Sequence, residues 1–204
     1  TKVGSAGGML LQEFDLEILR EGRKVYVGHT GFGFFPARAL AAQVGLRGAT
    51  LAALPEGARS FELPRDTLGV AKLLMVDRID ALELEGGPKR LGFVAGSKLV
   101  DPAEWFFEAH FYQDPVMPGS LGLEALLQLL KIFARERFGG LGSSHRAECM
   151  AIGRPHRWQY RGQVVPTNRE VTLQINVTEL VLGPEPLLVA DGLLAVDGRM
   201  IYAL

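Results

Sequence analysis

The 204-residue chain has one cysteine, Cys149, and its 22 basic and 23 acidic side chains nearly cancel, leaving a formal net charge of -1. A lone cysteine excludes an internal disulfide framework and suits a reducing cytoplasm. As a side chain it reads as a small buried hydrophobe. Balanced charge removes the broad attraction that would make nucleic acid or an anionic membrane the main partner. No apolar run reaches the roughly 20 residues of a membrane-spanning helix, and no N-terminal stretch has the make-up of a signal peptide. The Asn176-Val177-Thr178 sequon is therefore expected to stay bare. There is no phosphate-binding glycine loop, no dinucleotide fingerprint and no Ser-His-Asp signature. His29, His145 and His156 lack metal-ligand spacing and read as structural or surface residues, so no metal is expected.

What is present is an ordinary globular composition, 48% hydrophobic and 22% charged, long enough for one large domain or two small ones. Residues 10–35 read as a β-hairpin turning at Glu21-Gly22, and residues 36–46 as a helix opened by Pro36 and stopped by Gly45. Residues 47–70, with Gly48, Pro55, Gly57, Pro64 and Gly69, read as a linker. From 71 to 204 the pattern is strands, one long helix, then three more strands, the last folded at Asp197-Gly198. "DLEILREGRKVY" (15–26) echoes "DGLLAVDGRMIY" (191–202) at a shift of 176, with Asp, Gly, Arg and Tyr matched. Residues 1–46 are thus expected to be the closing hairpin and short helix of a preceding unit, and 71–204 a complete second unit. The absent initiator methionine and the strand-like ending "GRMIYAL" suggest a piece of a longer polypeptide. "RPHRWQYRGQ" is basic and aromatic, but alternation on a strand, with Trp158 and Tyr160 on one face and Arg157 and Arg161 on the other, explains it better than nucleic-acid binding.

The long helix, Ser120 to Phe138, is apolar over most of its circumference. Its polar residues Glu124, Gln128, Lys131 and Arg135 are spaced 4, 3 and 4 apart, one stripe on one face. Such a helix needs wrapping, which implies an α+β fold with an antiparallel sheet curled around it. Lys131 and Arg135, near the C-terminal end, suit the helix dipole and are expected to reach solvent. Taken alone, Glu124 reads equally well as a surface acid near a helix start, and His110 as a satisfied structural histidine.

"WFFEAHFYQDPVMPGSLGLEALLQLL" resembles the bacterial 3-hydroxyacyl-ACP dehydratases of the hotdog fold, specifically the FabA-like branch. The motif is a histidine, then D-P-V-M-P-G, then an acid fourteen positions (124 − 110) after the histidine. The likeness continues through "KLLMVDRID", "YRGQVVPTNREVT" and "VADGLLAVDGRMIY", about residues 64–204. Two positions depart from the decanoyl-type enzyme: Glu124 stands where it usually has Asp, and Ser120 where it typically has Cys. With the echo and the preceding "GHTGFGFFPARALAAQVGL", these variants look like the dehydratase regions of polyunsaturated fatty acid synthases and related iterative polyketide synthases.

The resemblance implies a hotdog fold, expected to be part of a double hotdog, and loss of water from a 3-hydroxyacyl-ACP thioester to give a trans-2-enoyl-ACP, with 2-trans to 3-cis isomerisation as an optional further step. It makes His110 the base for the C2 proton and Glu124 the acid or water-holder. Gln128, one turn along, would orient Glu124, and the Val116 carbonyl would hold the second nitrogen of His110. Gly119 and Ser120 would bring helix-start N–H groups to the thioester carbonyl. No cofactor is implied beyond the phosphopantetheine arm of the acyl carrier protein that carries the substrate. Expected partners are that carrier protein and another hotdog unit, in the same chain or in a homodimer. Family members usually assemble the His and the acid across a two-hotdog interface, so His110 and Glu124 are expected to serve either one site or two. A catalytically silent hotdog module and a hotdog acyl thioesterase are the alternatives.

Overall fold

The computed structural model describes residues 1–139, 148, 151 and 153–204. The readings of Cys149 and His145 lie outside the described residues. The chain divides into two compact units, Thr1–Gln43 and Val44–Leu204.

The first unit is a three-stranded antiparallel sheet, β1 (Lys2–Ala6), β2 (Met9–Arg20) and β3 (Arg23–Phe34), followed by a single helical turn, α1 (Ala37–Ala41). The expected hairpin is there; β1 extends it, and the helix is shorter than 36–46. Period-2 alternation divides the sheet into two faces. Leu10, Phe14, Leu16 and Ile18 share one face with Phe34, Phe32 and Tyr26, while Glu13, Asp15 and Glu17 lie on the other. No described side chain of this unit is buried, and Ile18 and Tyr26 are more than half exposed.

The second unit contains β4 (Arg59–Glu62), a 3₁₀ turn (Ala71–Leu73), β5 (Arg78–Glu83), β6 (Phe93–Leu99), α2 (Trp105–Ala109), α3 (Gly119–Arg137), β7 (Gln159–Tyr160), β8 (Glu170–Val181), β9 (Leu187–Val196) and β10 (Arg199–Ala203). These strands form one seven-stranded sheet in the order β4-β5-β6-β8-β9-β10-β7, with every pairing antiparallel. Helix α3 packs on β6, β8 and β9. Val171, Leu173, Ile175 and Val177 of β8 join Ala125, Leu126, Leu129 and Phe133 of α3 in the main core. This is the α+β hotdog arrangement: a sheet wrapped on one long helix.

Residues 47–70 are not the linker that their glycines and prolines suggested. Gln174, on the face of β8 away from the helix, is 5% exposed because its amide pairs with the backbone of Ala52. Its Nε2 donates to the Ala52 carbonyl and its Oε1 accepts the Ala52 N–H, both at 2.8 Å. Residues 59–62 are paired with β5, and Leu63 enters the main core. Turn residues mark where the chain bends, not what it packs on, so the punctuation signal missed a strand. Two other expected strands are shorter: in 72–85 only 78–83 pairs, and in 156–165 only 159–160.

The echoed hairpins match in local geometry. Glu21-Gly22 and Asp197-Gly198 both have positive φ, 51° and 77° against 47° and 79°, the backbone of a type I′ turn. The β2–β3 register slips at Val25, between the Ile18↔Tyr26 and Leu19↔Lys24 pairs. The β9–β10 register slips at Ile201, between Leu194↔Tyr202 and Ala195↔Met200. The two bulges fall at equivalent positions of the 176-residue shift.

Candidate active site

Helix α3 starts where proline stops being an obstacle. Pro118, with φ −53° and ψ 134°, is its N-cap residue, and no side chain caps the first turn. The Gly119 and Ser120 N–H groups thus lack intrahelical partners, as at any helix start. The helix ends before Gly139, whose φ of 69° is a conformation that glycine adopts without strain. Its apolar positions Leu121, Ala125, Leu126, Leu129, Ile132 and Phe133 are buried.

The polar stripe is covered by residues 67–75. Gln128 is 2% exposed. Its Oε1 accepts the Met75 N–H at 2.8 Å, and its Nε2 donates to the Leu73 carbonyl at 2.7 Å and to Glu124 Oε1 at 3.1 Å. Arg135 donates to the Thr67 carbonyl at 2.6 Å. Lys131, expected to reach solvent, instead donates to Glu124 Oε1 at 2.9 Å. The helix dipole accounts for a cation late in the helix but says nothing about its partner seven residues back.

His110 caps the C-terminal end of α2 and is half-buried. Its Nδ1 lies 2.9 Å from the Val116 carbonyl. A carbonyl only accepts, so Nδ1 carries the proton and the Nε2 of a neutral ring keeps its lone pair. The ring stacks on Phe111 at 3.9 Å. The loop between, 111–118, turns at Gln113 (φ 56°) and is pinned by the Met117 N–H on the Val164 carbonyl at 2.9 Å. One loop therefore holds His110 at one end and opens into Gly119 and Ser120 at the other. Among the described residues no hydrogen bond joins His110 to Glu124.

Tyr202 is a residue the motif reading passed over, although the echo had matched it with Tyr26. It is 5% exposed and packs against Gly122: a Cβ there would meet Tyr202 Cε2 at 1.9 Å, and one on Gly119 would lie 3.7 Å from the Tyr202 hydroxyl. Tyr160 meets Tyr202 edge-on at 4.8 Å. Burial pushes both phenols above the usual tyrosine range. A cleft of about 710 Å³ is lined by Leu126, Leu127 and Leu130 of α3, by residues of β8–β9 and by a polar wall that includes Arg154, His156 and Arg157. Among the described residues no group of three or more His, Cys, Asp and Glu side chains is arranged to hold a metal ion, and no helix is long and apolar enough to cross a membrane.

Residues 68–204 match the family model of the FabA-like domain. Among solved structures, one described as the dehydratase heterocomplex ApeI:P from Xenorhabdus doucetiae is similar at 14% identity and a TM-score of 0.43, over 70% of this chain and 88% of that one.

Proposed function

The chain belongs to the FabA-like domain family, and on that premise we propose that it dehydrates 3-hydroxyacyl thioesters carried on an acyl carrier protein, within a polyunsaturated fatty acid or iterative polyketide synthase. The observation that carries this reading is the 2.9 Å tie between His110 Nδ1 and the Val116 carbonyl. It fixes the ring and its tautomer, leaving Nε2 to take the C2 proton. The electrons of that C–H bond form the C2=C3 bond as the C3–O bond breaks, and the departing oxygen takes a proton, from the Glu124 carboxyl or from the histidine that accepted the C2 proton, to leave as water. The Gly119 and Ser120 N–H groups polarise the thioester carbonyl, whose oxygen gains charge as the proton leaves. The leucine-lined side of the cleft beside α3 suits an acyl chain, and the exposed Arg157 and Arg161 suit an acidic carrier protein.

Glu124 is hydrogen-bonded by Gln128 and Lys131 of its own helix and His110 by Val116, with no bond between the two among the described residues, which supports a site completed by another hotdog unit. The first unit supports the same arrangement. Its hairpin shares turn and bulge with β9–β10, and its apolar face, with Ile18 and Tyr26 equivalent to Leu194 and Tyr202, is open. The lack of a hydrogen bond between His110 and Glu124 among the described residues also favours one competing reading, a hotdog module that holds structure without catalysis. Incubation with 3-hydroxyacyl thioesters of several lengths tests the proposal. The expected product is the 2-trans enoyl thioester, with 3-cis product if isomerisation follows. Unchanged substrate would support the silent module, and free thiol with free acid would point to a thioesterase.

A further inference from the structure

Resting on the dehydratase reading above, we infer that Lys131 is a positioning residue that holds Glu124 as a hydrogen-bond acceptor, so that Glu124 orients the departing water and does not supply its proton. Gln128 cannot turn its amide over. Its Oε1 is committed to the Met75 N–H, which only donates, and its Nε2 to the Leu73 carbonyl, which only accepts. The second Nε2 hydrogen therefore points to Glu124 Oε1. Lys131 Nζ, also donor-only, reaches the same oxygen at 2.9 Å. Oε1 thus receives two donors, one of them an ammonium, and charge-assisted bonds of this kind are the stronger ones. Glu124 is the one acidic partner of Lys131 among the described residues, and no donor there reaches Oε2. Oε2 is the oxygen left to accept a hydrogen bond from the substrate hydroxyl or the water it becomes.

The proton for the leaving group then comes from the histidine that shares the site with Glu124, contributed by the hotdog unit that completes it. Nε2 takes the C2 proton, and the C–H electron pair becomes the C2=C3 π bond. The C3–O pair leaves with oxygen, which takes the proton from Nε2. Water is released and the imidazole returns to its neutral form.

The test compares Lys131→Met, Lys131→Arg and Glu124→Gln in the hydration of a crotonyl thioester. Lys131→Met is expected to lower kcat roughly tenfold or more, the scale of one lost charged hydrogen bond, with KM and the unfolding midpoint little changed. Lys131→Arg, which keeps the charge, should recover most of the rate. Glu124→Gln, whose single amide oxygen the two donors would claim and whose NH2 would stand where Oε2 accepted, should lose at least as much rate as Lys131→Met. Unchanged kcat in Lys131→Met, or an arginine variant no better than the methionine one, overturns the inference. An inactive wild-type protein would instead count against the dehydratase reading. The tie then has a readout that needs no turnover: the Glu124 carboxyl-carbon NMR resonance should move in Lys131→Met and return toward its wild-type position in Lys131→Arg, and a resonance that stays put in Lys131→Met refutes the inference.

Discussion

Replacing Gln128 by leucine removes a polar strut and keeps the volume, so the cost can be worked from its three hydrogen bonds. Met75, whose N–H loses its acceptor, is 2% exposed, and no solvent reaches in to replace the amide. A buried donor left unmet costs about 1–3 kcal/mol. Leu73 is 42% exposed and Glu124 29%, so both can rehydrate; each of those lost bonds costs about 0.5–1.5 kcal/mol. The greater apolarity of leucine offsets part of this, giving a net destabilisation of about 2–4 kcal/mol. Against a total stability of about 5–15 kcal/mol, that is easily measured. With urea m-values of about 1–3 kcal/mol/M, the unfolding midpoint should fall by roughly 1–2 M at unchanged m. Gln128→Glu should do no better, because its carboxylate would face Glu124 and the Leu73 carbonyl, both acceptors. A midpoint that stays put in Gln128→Leu would refute the claim that this amide ties α3 to residues 73–75.

Gly122→Ala should lower the melting temperature by the equivalent of about 1–3 kcal/mol of overpacking, despite the better helix propensity of alanine, because the new Cβ would meet the Tyr202 ring. Pairing it with Tyr202→Ala should cost less than the two losses added, as expected when a clash is relieved. The raised phenols make an alkaline prediction: a folded-state value above the unfolded one stabilises fully below the unfolded value of about 10 and less as pH climbs beyond it. Unfolding midpoints followed from pH 8 to 12 should therefore fall above about pH 10, and Tyr202→Phe should fall less steeply; parallel curves would show that Tyr202 does not contribute.

The central helix was legible because its 4-3-4 polar spacing and apolar remainder fit only one geometry, and the wrapped α+β fold followed from it. The Val116 contact of His110 and the Gln128 contact of Glu124 followed from the motif, since both are local in sequence. What escaped was long-range. Gln174 reads as an outward polar residue on a strand, and nothing local says that Ala52, 122 residues away, pairs with it. Lys131 carries no mark of its tie to Glu124, because a late lysine satisfies the helix dipole whether or not it has a partner. Gly122 looks like a weak helix residue until the Tyr202 ring, from the last strand, is seen to fill its notch.

The proposed chemistry depends on His110 as the base, and the most direct measurement is the rate of crotonyl-thioester hydration by His110→Ala beside the wild-type protein, with circular dichroism and thermal unfolding run on both. The expected result is a folded variant with kcat/KM lowered by roughly 10²-fold or more. A folded variant that hydrates the thioester at the wild-type rate would contradict the assignment of His110 and with it the proposed chemistry.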